Sequence, residues 1–448
     1  MNQTKKASMT SGTEWKLILL FTLPLMAGNL LQQLYNTVDG IVVGNFVGEN
    51  ALASVGTCSS LTMLFIALAL GMSNGAAVVV AQLFGADRMT ELRKAVSTAL
   101  ILFAAMGVVF SVLGVLLAGF LLRTVLNVQA YLLEGAVLYF RIYALGLLFQ
   151  FLYNIVAAIL RSLGDSRATL YFLLISSVCN ILLDLLLVLV FGWGIAGVAI
   201  ATVVSQGISA VVSLAYMFRF YPMLRFQKGE FSFDTGTCGL IVKMGIPTTL
   251  QQCVVSFGHM AIQRVINDFD ITAGYTAATR IESFALIPAQ GFLMGMATFT
   301  GQNLGAKKPE RITRGLKQTL LMSFIVDVLV IAILVPLAPT LIGLFGVVGD
   351  STDIAVRYLR YCSCFLAVFC TYFCFNGVLQ GSGDVGFTAF NTFTGLVIKV
   401  AVVYLMAYLT PLGVAAIWYT NLISWLYSLV LSALRYRFGP WRKKCVVE

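Results

Sequence analysis

Asn29, Gln32, Asn36 and Asp39 recur along one apolar stretch at steps of three, four and three. Tyr35, three residues after Gln32, shares that helical face. A second stretch carries Ser176, Asn180 and Asp184, each four apart. A third places Tyr139, Tyr143, Gly146, Gln150 and Asn154 on one stripe, and a fourth adds Thr202 and Gln206. Carboxylates inside apolar helices are costly and normally face an internal cavity. Two of them in one low-dielectric pocket do not both ionise easily. Burial disfavours the charged form, and the first charge disfavours the second. Such a pair can load a proton, or hold sodium with neighbouring oxygens. Asp39 and Asp184 are therefore the candidate coupling residues. Gln32, Tyr35, Asn36, Tyr139, Asn154, Asn180 and Thr202 are the candidate cavity residues. Blander roles compete: Asp39 in contact with interfacial water, and Asp184 as a hydrogen-bonded packing residue.

The second half of the chain carries different chemistry. Gln252, Ser256, His259 and Gln263 share one face, and Arg280 and Glu282 precede a mid-run proline, Pro288. Lys399 lies near the centre of a later run, 219 residues after Asn180. Lys399 and Glu282 can form an ion pair that opens and closes during a cycle. A static pair, or a lysine reaching for the interface, fits as well. His259 can relay protons or simply pack with a hydrogen bond. Asp327 has no partner evident from the sequence and receives no role.

These residues need elements to hold them, and composition says which. Of 448 residues, 29 are basic and 19 acidic, so charged residues make up 11% while hydrophobic residues make up 59%. Mean hydropathy is +0.91. A globular chain carries about 25% charged residues, so a soluble surface cannot be covered. Twelve apolar runs each reach the roughly 20 residues needed to cross a bilayer. They fall at 17–43, 53–83, 95–121, 132–159, 169–191, 195–218, 239–266, 273–303, 315–345, 354–379, 388–409 and 412–434. None alternates as a barrel strand would. The fold class is an all-α membrane protein. The first run is too long for a cleavable signal and is expected to stay as the first helix.

Orientation follows from the basic residues. Twenty-two of the 29 fall in the terminal segments and even-numbered loops, among them Arg88, Arg93, Lys307, Lys308, Arg311 and Arg314. The opposite loops hold Arg123 and several acids. Both termini are expected in the cytoplasm of a bacterial cell, with the chain in the plasma membrane. The net charge of +10 then reads as a topology signal and an attraction to anionic membrane lipids, with no nucleic acid involved.

The halves repeat. Gln82-Leu-Phe-Gly-Ala86 matches Gln302-Asn-Leu-Gly-Ala306 at an offset of 220. Ala136 to Arg141 matches Ala355 to Arg360, and Gly164-Asp165 matches Gly383-Asp384, at 219. Pro24 meets Pro247 at 223. Six helices per half is an even number, so both halves insert the same way up as a parallel repeat. The expected division is an amino lobe over 1–218, a basic cytoplasmic linker over 219–238 and a carboxyl lobe over 239–448.

These ordered features resemble the multidrug and toxic compound extrusion (MATE) family. The carrying segments are Pro24 to Asp39, Val43 to Ala53, Gln82 to Ala86, Leu160 to Asp165 and Gly301 to Ala306. The resemblance is to the bacterial branch with an aspartate in the first helix. It implies an amino-lobe site built from Gln32, Tyr35, Asp39, Tyr139, Asn154, Asn180, Asp184 and Thr202. It also implies multidrug efflux of cationic or amphipathic small molecules by alternating access, in exchange for protons or, less favoured, sodium. Other branches carry acids in helices seven and ten. Here helix seven has glutamines and His259, and helix ten has Asn376.

The wider superfamily includes flippases for lipid-linked sugar precursors, which is the alternative function. Flippase clefts are rich in cations, whereas this amino lobe is acidic. A membrane-embedded enzyme would need Asp-rich magnesium motifs or His/Ser clusters, and the chain has one histidine. No enzymatic activity, metal or cofactor is expected beyond the ion gradient, and the chain is expected to work as a monomer.

Overall fold

The computed structural model describes residues 8–226, 230–269, 271–345 and 350–445. It places the side chains of all of these except 36–42, 44, 45, 49, 256, 257, 259–261, 263, 273 and 350. The described residues are helical with no strand. The amino half contains α1 (Glu14–Val42), α2 (Glu49–Gly85), α3 (Met89–Phe120), α4 (Ala130–Leu145), α5 (Leu147–Ser162), α6 (Ser166–Asp184) and α7 (Gly194–Phe220). The carboxyl half contains α8 (Thr235–Asp268), α9 (Thr272–Ala285), α10 (Ile287–Gly305), α11 (Pro309–Gly343), α12 (Asp350–Cys364), α13 (Leu366–Gly381), α14 (Val385–Leu409) and α15 (Ala416–Phe438).

These helices fill the twelve expected spans. Among the described residues, nine runs are long and apolar enough to cross a membrane, and two bent pairs bring the number to eleven. The twelfth is α8, 34 residues long, with Thr248, Thr249, Gln251 and Gln252 breaking its apolar run. The bent pairs are α4 with α5, at 46°, and α12 with α13, at 48°. Their breaks fall at Gly146 and Phe365, which are 219 residues apart, so the repeat preserves the bend. Short π-helical turns end α1, α3 and α6 at Val43–Val47, Leu121–Val125 and Leu185–Val190.

Two compact units form. One holds Met1–Ser8 and Ala27–Thr249; the other holds Met9–Met26 and Leu250–Glu448. Helices α1 and α8 are thus each shared. Burial explains the first exchange. Ile18, Phe21 and Leu25 pack with Phe292, Met296, Phe299 and Val378 of the second unit. Close approach is possible because Gly291 and Gly295 lack side chains. A Cβ on Gly295 would stand 2.5 Å from Thr22 Oγ1.

The first unit repeats the device with Gly71 and Gly75, 220 residues earlier in the chain. A Cβ on Gly75 would stand 2.3 Å from Gly245 N, and Thr248 Oγ1 donates to Gly71 O at 2.6 Å. Both pairs are glycines four apart, the spacing that lets helix backbones touch within membranes.

Each shared helix is also tied down at its start. In the second unit, Met9 N donates to Gln302 Oε1 at 2.7 Å and Asn303 Nδ2 donates to Met9 O at 3.2 Å. In the first, Ser97 Oγ donates to Ser232 O at 2.9 Å, and Arg93 pairs with Glu230 at 3.1 Å.

Candidate functional site

The amino-half site is assembled by α1, α6 and α7. Gly164, at φ 95°, makes the tight turn before α6. Asp165 then caps the helix by accepting from Ala168 N at 3.0 Å. This fixes the register that carries Asn180 and Asp184 to the opposite end. Both are 1% exposed. The Asn180 amide is oriented so that both of its ends are satisfied. It then donates to Asp184 Oδ2 at 2.9 Å and to Tyr35 Oη at 3.3 Å, and accepts from the Thr202 backbone N–H at 3.2 Å. One amide thus ties a buried carboxylate to two neighbouring helices.

A second group follows the α4–α5 break. Tyr139 and Tyr143 stack with ring centroids 6.3 Å apart and planes 16° apart. Tyr143 Oη donates to Gln150 Oε1 at 2.9 Å, across the bend, and Asn154 Nδ2 donates to Gln150 O at 2.8 Å. Gly146 is required at the bend, because a Cβ there would stand 2.8 Å from Val203 Cγ2 and 3.3 Å from Gln206 Oε1. Thr202 and Gln206, one turn apart on α7, therefore border both groups.

The structure thus brings Tyr35, Asn180, Asp184 and Thr202 together directly. It links Tyr139 to Asn154 through Tyr143 and Gln150. Gln32 is half-buried on the α1 face. Asn36 and Asp39 lie on the same helix, but their side chains fall outside the described residues, as does that of His259. Tyr143, Gln150 and Gln206 stand on the expected stripes, yet their bridging role needs the bend at Gly146. A glycine inside a polar stripe was the available signal.

The second unit holds the remaining candidates. Lys399 and Glu282 act on each other electrostatically but form no direct ion pair. Glu282 Oε2 instead accepts from Tyr358 Oη at 2.7 Å. Arg280 is exposed, and two residues of separation put it on a different face of α9 from Glu282. Asp327, 1% exposed on α11, accepts from Cys370 Sγ at 2.9 Å. No group of three or more His, Cys, Asp or Glu that could hold a metal occurs among the described residues.

The repeated Gly-Asp element serves a different end in each unit. Asp165 accepts from the hydroxyls of Tyr216 and Tyr221 at 3.1 and 2.8 Å. Asp384 pairs with Arg435 at 2.8 Å and Lys444 at 2.5 Å. Burial alone would push the Asp384 carboxyl up. The hydrogen bonds and charges of Arg435 and Lys444 outweigh it and hold the group below the usual carboxylate value.

Comparison with known proteins fits this arrangement. The MatE family model matches residues 24–186 and 247–405, once in each half. The Bacillus subtilis (strain 168) protein described as "Probable multidrug resistance protein YpnP" is 29% identical over 98% of both chains. From the same organism, "Probable multidrug resistance protein YoeA" is 27% identical over 99% of this chain and 97% of its own. A structure described as the outward-facing conformation of a multidrug resistance MATE family transporter of the MOP superfamily superposes with a TM-score of 0.91. It covers 99% of each chain at 24% identity, which speaks for the fold alone.

Proposed function

The chain belongs to the MATE family, and from that premise we propose that it is a multidrug efflux antiporter of the bacterial plasma membrane, with both termini cytoplasmic. It exports cationic or amphipathic small molecules in exchange for protons. The observation that carries this reading is the Asp184 carboxylate, 1% exposed and held by Asn180 to both α1 and α7. A carboxylate so placed attracts an organic cation when charged and loses that attraction once protonated. Asn180 grips Asp184 and Tyr35 together, so a proton on Asp184 weakens one arm of a three-helix tie. Protonation is thereby converted into a change between helices. Asp39 is the companion acid on α1. Two acids in one cavity allow one proton to be exchanged for one cationic charge.

The flanking pair Tyr139 and Tyr143 supplies flat, polarisable walls that tolerate many ligand shapes. Selectivity then rests on charge more than on outline. That fits the relatives, which are named multidrug resistance proteins.

Ethidium efflux from proteoliposomes tests the reading. An inward proton gradient is expected to drive export, and a sodium gradient of the same size to drive little. Asp39→Asn and Asp184→Asn are each expected to abolish gradient-driven efflux while the protein still inserts and purifies. Full efflux in both variants would remove the acidic-site mechanism. If no drug moves under either gradient, the lipid-precursor flippase takes its place.

A further inference from the structure

A cavity that stands apart from the proton-coupled site lies at the start of α11. It measures about 300 Å³ and is lined by Pro309, Glu310, Thr313, Arg314, Lys317 and Arg442. That is the lower end of the range for small-ligand pockets, roughly 300–1,000 Å³. Glu310, Thr313, Arg314 and Lys317 recur at steps of three and four, so they share one face of α11. Arg442 comes from the short turn Trp441–Lys443 that follows α15. Three cations thus converge on a space that holds one acid.

Arg442 is held there by a chain of contacts. Its guanidinium lies over the Trp441 ring, 5.3 Å from the centroid. Trp441 is 1% exposed, stacks on Tyr436 at 5.1 Å and donates through Nε1 to Tyr436 O at 2.7 Å. Tyr436 Oη in turn donates to Thr313 Oγ1 at 3.3 Å, which leads back to the cavity wall. The buried tryptophan therefore fixes the next residue against α11, where repulsion from Arg314 and Lys317 would otherwise drive a cation away.

These charges are not cancelled from within. Arg314 Nε pairs with Glu14 Oε1 at 3.3 Å, but Arg311 draws on the same oxygen at 3.4 Å. Lys317 and Arg442 form no ion pair among the described residues. Glu310 lies in the first turn of α11, where the helix dipole itself attracts an acid. A positive surplus remains. Further along, the face of α11 that carries Lys317 turns apolar and stays exposed, with Leu321 at 62%, Phe324 at 56% and Val328 at 46%. Cations at the foot of an exposed apolar stripe match a ligand with an anionic head and hydrocarbon tails.

We propose that this cavity binds the phosphate of an anionic phospholipid, whose acyl chains run along Leu321, Phe324 and Val328. Arg314 and Arg442 offer forked N–H donors to the phosphate oxygens, and Lys317 adds a point charge where the polar face gives way to the apolar one. The diffuse attraction expected from a net charge of +10 thereby gains one defined place. The site depends neither on the exported ligand nor on the coupling ion.

The test is native mass spectrometry of the purified full-length protein in a neutral detergent, titrated with phosphatidylglycerol, phosphatidylcholine or inorganic phosphate. The wild type is expected to hold its first phosphatidylglycerol about tenfold more tightly than phosphatidylcholine. Excess inorganic phosphate should not displace it. Lys317→Gln with Arg442→Gln should bring the preference down to about twofold or less. Both positions are exposed, so the melting temperature and phosphatidylcholine binding should stay as in the wild type. Arg219→Gln with Lys243→Gln removes the same charge from exposed positions on the other unit and should leave the preference intact. A wild type without the preference overturns the site, as does a Lys317→Gln, Arg442→Gln variant that keeps it. Equal loss in both double variants overturns it too, since diffuse charge would then suffice. Displacement by inorganic phosphate would show a pocket for free anions and overturn the lipid assignment.

Discussion

Asn180 and Asp184 sit one turn apart on α6, joined by an amide-to-carboxylate hydrogen bond of 2.9 Å, and the same amide holds Tyr35 at 3.3 Å. Hydrogen bonds to a charged acceptor contribute about 1.5–3 kcal/mol. Asn180→Leu removes both donors while keeping the volume similar. Gradient-driven ethidium efflux is expected to fall at least about tenfold, with insertion and yield unchanged. An unaltered rate would show that the amide does not couple α1 to the acid.

The glycine pairs make a second prediction. A Cβ on Gly75 would lie 2.3 Å from the Gly245 backbone nitrogen, and backbone atoms cannot step aside cheaply. Gly75→Ala is expected to cost about 1–3 kcal/mol, as overpacking does, and to lower the unfolding temperature in detergent. Gly295→Ala, against Thr22 Oγ1 at 2.5 Å, should cost less, because a side-chain hydroxyl can turn away. Gly119→Ala meets nothing within 4 Å and serves as the control. Equal melting of all three would refute close packing at Gly75.

What the sequence could reveal divides along physical lines. Helix number and the acidic stripe depend on local pattern, and period-3.6 spacing placed Asn180 and Asp184 on one face without further help. The exchange of α1 and α8 between units depends on which surfaces meet. Pro24 and Pro247 mark matching places in the two halves, but the close helix approaches depend on Gly71, Gly75, Gly291 and Gly295, and their role needs contacts. The surroundings of Glu282 were hidden for a similar reason. Charge alone could match it with Lys399, while Tyr358 became its hydrogen-bond partner only once α12 was positioned. The match of Tyr139 to Tyr358 was visible in the repeat, and it was the available clue.

The bend between α4 and α5 yields a third prediction. At Gly146 the nearest obstacle is Val203 Cγ2, 2.8 Å from an added Cβ, and valine is stiff about χ1. Gly146→Ala should push α5 away from α7 and disturb the Tyr143–Gln150 hydrogen bond of 2.9 Å. Efflux is expected to drop several-fold. The double variant Gly146→Ala with Val203→Ala frees the space and should recover most of the rate. If the double variant stays as slow as the single one, glycine matters there for its backbone and not for the approach of α7.

Asp384 gives the pH prediction. Its carboxyl is 3% exposed at the start of α14 and pairs with Arg435 and Lys444, which hold it below the ordinary value of 3.8. A lowered carboxyl means that the unfolded chain binds the proton more readily than the folded one between the two values. Stability from this group is therefore fully present above about pH 4 and is lost as pH falls through the folded value. Arg435 and Lys444 are 30% and 41% exposed, so water compensates them in part, and Asp384→Asn should cost about 1–2 kcal/mol at pH 7. Thermal unfolding in detergent between pH 7 and pH 3 reads both effects. The variant should melt below the wild type at pH 7, and the gap should narrow on acidification as the wild type loses its own advantage. A gap that stays constant down to pH 3 would mean that Asp384 acts through shape at the α14 start and not through its charge.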